Sequence, residues 1–355
     1  MRPLMAPKAL LMAAALGLAA LAATAGCTPA SSNPGPVQTG AEMLVENEFE
    51  TLAGKRVGLI TNPTARVENE HLIDVLAEAD RVELTALFGP EHGLRGHAAA
   101  GEAVQSGRDA ETGVPIHSLY GDQRRPSQAM LNSVDVLVFD IQDIGARFYT
   151  YISTMGLAMQ AAAEAKIPFV VLDRPNPLGG KYVSGFVIDS SLTSFVGKYP
   201  IPIAHGMTTG ELARMIRGEG LLPGLENLEL TVVEMSGWER DMRWHETGLP
   251  WLAPSPNIPD FHAALLYPGT AFLEGTSVSE GRGTAGPFAY VGAPWVRPEA
   301  LAEALNRRAL PGVQFYPITF SPRSIAGVAP NPKWENRLIF GVRQSITDLE
   351  AFQPV

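Results

Sequence analysis

"VDVLVFD" (Val134–Asp140), "STMGLAMQAAAEA" (Ser153–Ala165) and "PFVVLD" (Pro168–Asp173) follow one another closely in the chain. The first and third are short, continuous apolar runs rich in valine, and the second is alanine-rich with the length of a helix. Strands that are apolar on both faces and separated by helices belong to parallel sheets covered on each side. The same alternation occurs upstream: "RVGLITN" (Arg56–Asn62) and "VELTALFG" (Val82–Gly89) read as strands, and "HLIDVLAEA" (His71–Ala79) between them has helical apolar spacing.

These runs predict an α/β fold: a Rossmann-like, doubly wound parallel sheet over residues 42–220. No G-x-G-x-x-G follows the first strand, where "TNPTARVEN" stands instead, so no dinucleotide cofactor is expected. After residue 220 the texture changes to a strand-like "LENLELTVVEM", then "GWERDMRWHETGLPWLAPSPNIPD", dense in tryptophan and proline. Residues 221–355 are therefore assigned to a second, smaller α+β domain. The tryptophans suit either a carbohydrate platform or the packing of a surface loop.

Open parallel sheets bind ligands at the carboxyl ends of their strands, where the loops splay apart. Asn62 follows the first strand, Glu91 and His92 the second, Asp140, Gln142 and Asp143 the third, and Asp173, Arg174 and Asn176 the fourth. Four polar strand ends in succession point to a functional crevice, against turn chemistry and helix capping as the ordinary explanation. Arg147, Tyr149 and Tyr151 stand beside the third end, and His205 in "PIPIAHGMTTG" precedes a helix start. Thr208 and Glu211 have the spacing of a capping box, which makes Glu211 structural. Further along, "YPGTAFLEGTSVSEGRGTAGPFAYVGAPW" reads as a glycine-rich loop whose Glu274, Glu280 and Arg282 suit hydroxyl groups better than phosphate.

The chain carries 27 Lys+Arg against 37 Asp+Glu, a formal charge of −10. With no basic stripe, nucleic acid is not an expected partner. Residues 1–26 join Arg2 and Lys8 to an apolar run ending "TAGC", the pattern of an export signal, and they resemble a bacterial lipoprotein signal with Cys27 as the lipidated residue. That resemblance implies anchoring to a membrane in the cell envelope, on the outer face of the cytoplasmic membrane or in the periplasm. One cysteine allows no internal disulfide. Residues 27–41 read as a flexible tether between anchor and domain.

"FGPEHGLRG", "FDIQDIGARFYTYI", "DRPNPLGG", "PIPIAHGMTTGELA", "PSPNIP" and "YPGTAFLEGTSVSEGRGT" together resemble the bacterial exo-β-N-acetylmuramidase family, long catalogued as a domain of unknown function. The resemblance covers almost the whole chain after the tether. It implies an active-site cleft between a Rossmann-like domain and a smaller one. It also implies release of terminal N-acetylmuramic acid from the non-reducing ends of peptidoglycan fragments, such as muropeptides or MurNAc-GlcNAc saccharides, with no metal or other cofactor. Relatives of this type continue beyond "GVRQSITDLEAFQPV", whose proline after a strand-like run is where another helix would begin, so further carboxyl-terminal elements are expected.

Glycoside cleavage usually needs one carboxyl to protonate the leaving oxygen and a second group to assist water or the anomeric carbon. Glu91 is the expected acid or base, since an apolar strand beneath it would raise its pKa by desolvation. His92 would tune it. Glu280 is the first choice for the second carboxylate and Asp143 the next. Arg95 or Arg147 would hold the lactyl carboxylate of muramic acid. Asn62, Asp140, Tyr149, Tyr151, Asn176, His205, Asn257, Glu274 and Arg282 complete the expected sugar-binding set. Two rival readings are a metal-dependent hydrolase using Glu91, His92, Asp140 and His205, and a non-catalytic, lipid-anchored cell-wall-binding module.

Overall fold

The computed structural model describes residues 35–91, 93–95 and 107–355, and residues 35–355 form one compact unit. Cys27, the signal stretch and His92 lie outside the described residues. The chain forms, in order, α1 (Gly40–Glu46), β1 (Arg56–Thr61), a ribbon of β2 (Arg66–Val67) and β3 (Glu70–His71), α2 (Leu72–Glu78) and β4 (Glu83–Gly89). Then follow β5 (Gly107–Arg108), β6 (Pro115–Ser118), α3 (Gln128–Leu131), β7 (Val136–Asp140), α4 (Tyr151–Ala165), β8 (Phe169–Leu172), α5 (Thr209–Gly218) and β9 (Leu230–Val233). The remainder holds α6 (Phe261–Thr270), β10 (Tyr290–Ala293), α7 (Pro298–Asn306), β11 (Val313–Phe320) and β12 (Ile339–Ile346).

Seven strands make the main sheet in the order β5-β6-β4-β1-β7-β8-β9, parallel throughout except for β5. Alternation along each strand divides its side chains between two faces. Val57, Leu59, Val136, Val138, Val170 and Leu172 pack with α1 and α2, whereas Ile60, Leu137, Phe139, Phe169 and Val171 pack with α4 and α5. This two-sided burial is why the strands read as continuous apolar runs. A second sheet, β10-β12-β11, is antiparallel, and α7 packs Ala302 against its Phe315 and Val342.

Three sequence boundaries need correction. The main sheet does not end at residue 220, because β9 pairs with β8 as its edge strand. The tether does not reach residue 41: Val37 is buried, Gln38 pairs with Ser236, and Thr39 caps α1 with Glu42 closing the box. The supposed glycine-rich loop from Tyr267 begins inside α6, which takes in Pro268, and continues as a 3₁₀ turn over Ala271–Gly275.

Candidate active site

The carboxyl ends of β1, β7 and β8 are wired mainly to one another. Asn62, fully buried, accepts from the backbone N–H of Thr64 at 3.0 Å and from its hydroxyl, an Asx turn that shapes the loop after β1. Thr64 Oγ1 in turn accepts from the N–H of Gln142 at 3.0 Å. Asp140 and Arg174, both buried, form a two-pronged ion pair that includes an Nη2–Oδ2 contact of 2.9 Å and locks the end of β7 to that of β8. Asp143 Oδ2 accepts from Gly145 N at 2.7 Å and lies 3.3 Å from His205 Nε2, and His205 Nδ1 accepts from Met207 N at 3.2 Å. An accepting Nδ1 puts the proton of a neutral ring on Nε2, facing Asp143.

Asn176 donates to Met207 O and accepts from Leu178 N. Gly145 sits against it with φ +79°, where a Cβ would lie 2.3 Å from Asn176 Oδ1, so only glycine fits this corner. Asp173 accepts from Gly210 N at 2.7 Å, Arg174 N at 2.9 Å and Thr208 Oγ1 at 3.0 Å, which binds the start of α5 to β8. Burial pushes its carboxyl up to about 6 despite those hydrogen bonds. Thr208 and Glu211 form the capping box that their spacing predicts.

Beside this frame opens a cavity of about 720 Å³. Glu91, on the turn after β4, forms part of its wall, with Tyr120 and Arg124 from the loop after β6 and Glu274 and Arg282 from the segment between α6 and β10. Burial, followed by the charge of neighbouring Glu91, raises the pKa of the Tyr120 hydroxyl. The floor is aromatic: Tyr149 meets Tyr267 edge-on at 5.7 Å and Tyr267 meets Phe288 at 4.8 Å, while Tyr151, which does not line the cavity, packs edge-on against Tyr149 at 5.1 Å. Burial holds the hydroxyls of Tyr149, Tyr151 and Tyr267 well above the usual phenol range. Asn257 lines the same wall and donates to Val328 O at 2.7 Å.

An adjoining cavity of about 400 Å³ shares Glu91, Glu274 and Arg282 and adds Glu280 and Lys333. Glu280 is buried and accepts from Lys333 Nζ at 2.9 Å. Arg282 stands between two acids, 2.6 Å from Glu274 Oε1 and 3.8 Å from Glu280 Oε1. Three carboxylates, Glu91 from one part of the sequence and Glu274 and Glu280 from another far downstream, thus line adjoining cavities that share a wall. A sugar ring flanked by acids is the substrate geometry such a cleft fits.

A family model described as the N-terminal part of exo-β-N-acetylmuramidase NamZ matches residues 57–262, and its C-terminal counterpart matches residues 265–355. The chain belongs to the NamZ family. It is 47% identical over 320 residues to the peptidoglycan β-N-acetylmuramidase NamZ of Bacillus subtilis, covering 90% of this chain and 75% of that protein. Two crystal structures of DUF1343 family proteins from Bacteroides fragilis are similar in fold. One has a TM-score of 0.82 at 45% identity, covering 90% of this chain and 79% of the other. The second has a TM-score of 0.71 at 38% identity, covering 88% and 76%.

Against this NamZ fold, several expected site residues prove to be framework. Arg95 is bound by Asp74 and Asp109 through four hydrogen bonds, with Glu111 a further 3.3 Å contact, and it does not line the cleft. Arg147 is buried and donates to the carbonyls of Phe186 and Ile201, both at 2.6 Å. Neither can hold a substrate carboxylate in the cleft. Asp143, Asn62, Asp140, Asn176, His205 and Tyr151 also stand behind the cavity wall, and Tyr151 donates to Pro254 O at 2.6 Å. Asp140 and His205 belong to separate pairings and do not converge as metal ligands. Among the described residues, the only His/Cys/Asp/Glu group close enough to share an ion is His245, Glu246 and Glu350, all exposed and none lining the cleft.

Two of the three tryptophans in that stretch are packing residues: Trp244 and Trp251 meet edge-on at 5.0 Å, and Trp251 packs on Phe261. Sequence reasoning missed Tyr120, Arg124, Tyr267 and Lys333. The available signal was thin, since Tyr120 and Arg124 lie in "YGDQRRPS" after a four-residue strand and Lys333 lies in "PNPKWEN".

Proposed function

We propose that the cleft is the catalytic centre of an exo-acting glycoside hydrolase that removes β-1,4-linked N-acetylmuramic acid from the non-reducing ends of peptidoglycan fragments. The observation that carries this reading is the convergence of Glu91 with Glu274 and Glu280 on adjoining cavities that share a wall, in a chain so similar to a peptidoglycan β-N-acetylmuramidase. Glu91 gives its proton to the glycosidic oxygen as the bond to the anomeric carbon breaks. Water supplies the hydroxyl to that carbon and returns a proton to the carboxylates. Glu280 is the carboxylate assigned to the opposite side, because it reaches the cleft from the segment before β10 while Glu91 comes from the end of β4. Glu274 keeps Arg282 in place.

Incubation with MurNAc-β-1,4-GlcNAc and, separately, GlcNAc-β-1,4-MurNAc tests the reading by mass spectrometry. Cleavage of the first alone is expected. Cleavage of the second, or of neither by folded protein, would reject it.

The "TAGC" sequence further supports export and lipid anchoring at Cys27. Cys27→Ala should move the protein from the membrane fraction to the soluble fraction of the producing cell. An unchanged distribution would dismiss the anchor.

A further inference from the structure

N-acetylmuramic acid differs from its N-acetylglucosamine neighbour by a lactyl ether, whose carboxylate needs a cation in a protein of net charge −10. Two arginines line the main cavity, Arg282 and Arg124. Arg282 is already flanked by Glu274 and Glu280, so a third carboxylate there would meet two charges of its own sign.

Arg124 differs on each count. Its Nε donates to Gly121 O at 3.2 Å, which fixes the guanidinium on its own loop. The guanidinium carbon lies 4.7 Å from the centroid of the Phe195 ring. Phe195 is itself anchored, since its carbonyl accepts from Ser153 Oγ at 2.7 Å. Among the described residues no carboxylate pairs with Arg124, and both Nη nitrogens are left without a hydrogen-bond partner. The same loop places Tyr120 beside Glu91, so this guanidinium fork stands on the cavity wall that carries the proposed acid. A planar guanidinium stacked on a ring and tethered through Nε loses little further freedom on binding a carboxylate through both Nη groups.

We infer that Arg124 is a specificity-determining residue that receives the lactyl carboxylate of N-acetylmuramic acid. This rests on the muramidase reading above. The test compares wild type, Arg124→Gln and Arg124→Lys as purified full-length chains, using the 4-methylumbelliferyl β-glycosides of MurNAc and of MurNAc methylated on its lactyl carboxyl. Wild type should prefer the free acid. Arg124→Gln should raise KM for the acid about 10- to 100-fold, the size of a lost charge-assisted pair, with kcat and the ester largely unchanged. Arg124→Lys should recover part of the preference. An unaltered preference in Arg124→Gln, or an equal fall on both substrates, would overturn the assignment while leaving the muramidase reading intact. Failure of wild type on both substrates would remove the two together.

Discussion

Two sets of polar side chains meet at the carboxyl edge of the parallel sheet, and they are built differently. The frame set, Asn62, Asp140, Asp143, Asp173, Arg174 and His205, is buried, and its members bond mainly to one another and to nearby backbone. The cleft set, Glu91, Tyr120, Arg124, Glu274 and Arg282, comes from loops and from the segment leading into the second sheet, and it faces open space. Strand ends only a few ångströms apart can satisfy each other, and in a buried setting they must. Loop residues brought together over long sequence separations can line a ligand site. The polar strand ends thus build the platform, and the cleft proposed to carry the chemistry stands beside it.

Arg174→Ala should break the frame most severely. It leaves the Asp140 carboxylate buried and unpaired, which costs about 3–5 kcal/mol of stability. Glu274→Gln, in a half-exposed pair, should change stability by under about 1 kcal/mol while reducing turnover. Denaturant titration of both variants checks the contrast, and equal stability losses would erase the distinction between frame and cleft.

A smaller effect concerns Asp173, whose folded-state pKa of about 6 lies above its ordinary value of 3.8. The folded state holds the proton more tightly, so this group's contribution is fully present below about pH 4 and is lost as pH rises through about 6. The stability of wild type relative to Asp173→Asn should therefore decline across that interval. A difference flat with pH would show that the carboxyl titrates normally.

The sheet was largely legible because two-sided burial leaves a mark that survives in sequence: continuous apolar runs at β1, β7 and β8. The edge strand β9 was assigned to the wrong side of a boundary, since pairing with β8 depends on a return of the chain after α5 that no local pattern announces. Glu91 could be singled out by its place after an apolar strand, and Glu274, Glu280 and Arg282 by their glycine-rich setting. Arg95 and Arg147 looked equally available in sequence, because their acceptors lie 14 to 54 residues away. Arg124 was invisible for the opposite reason: what distinguishes it is the lack of an acidic partner among the described residues and a phenylalanine 71 positions downstream.

The central claim is that Glu91 carries the proton to the glycosidic oxygen. The most direct measurement is the rate of MurNAc release from MurNAc-β-1,4-GlcNAc by Glu91→Gln beside wild type, with thermal unfolding of both recorded. The expected result is a fall of about 10²- to 10⁴-fold in kcat with an unfolding midpoint close to that of wild type. Turnover within a few-fold of wild type, from an equally stable variant, would contradict the account.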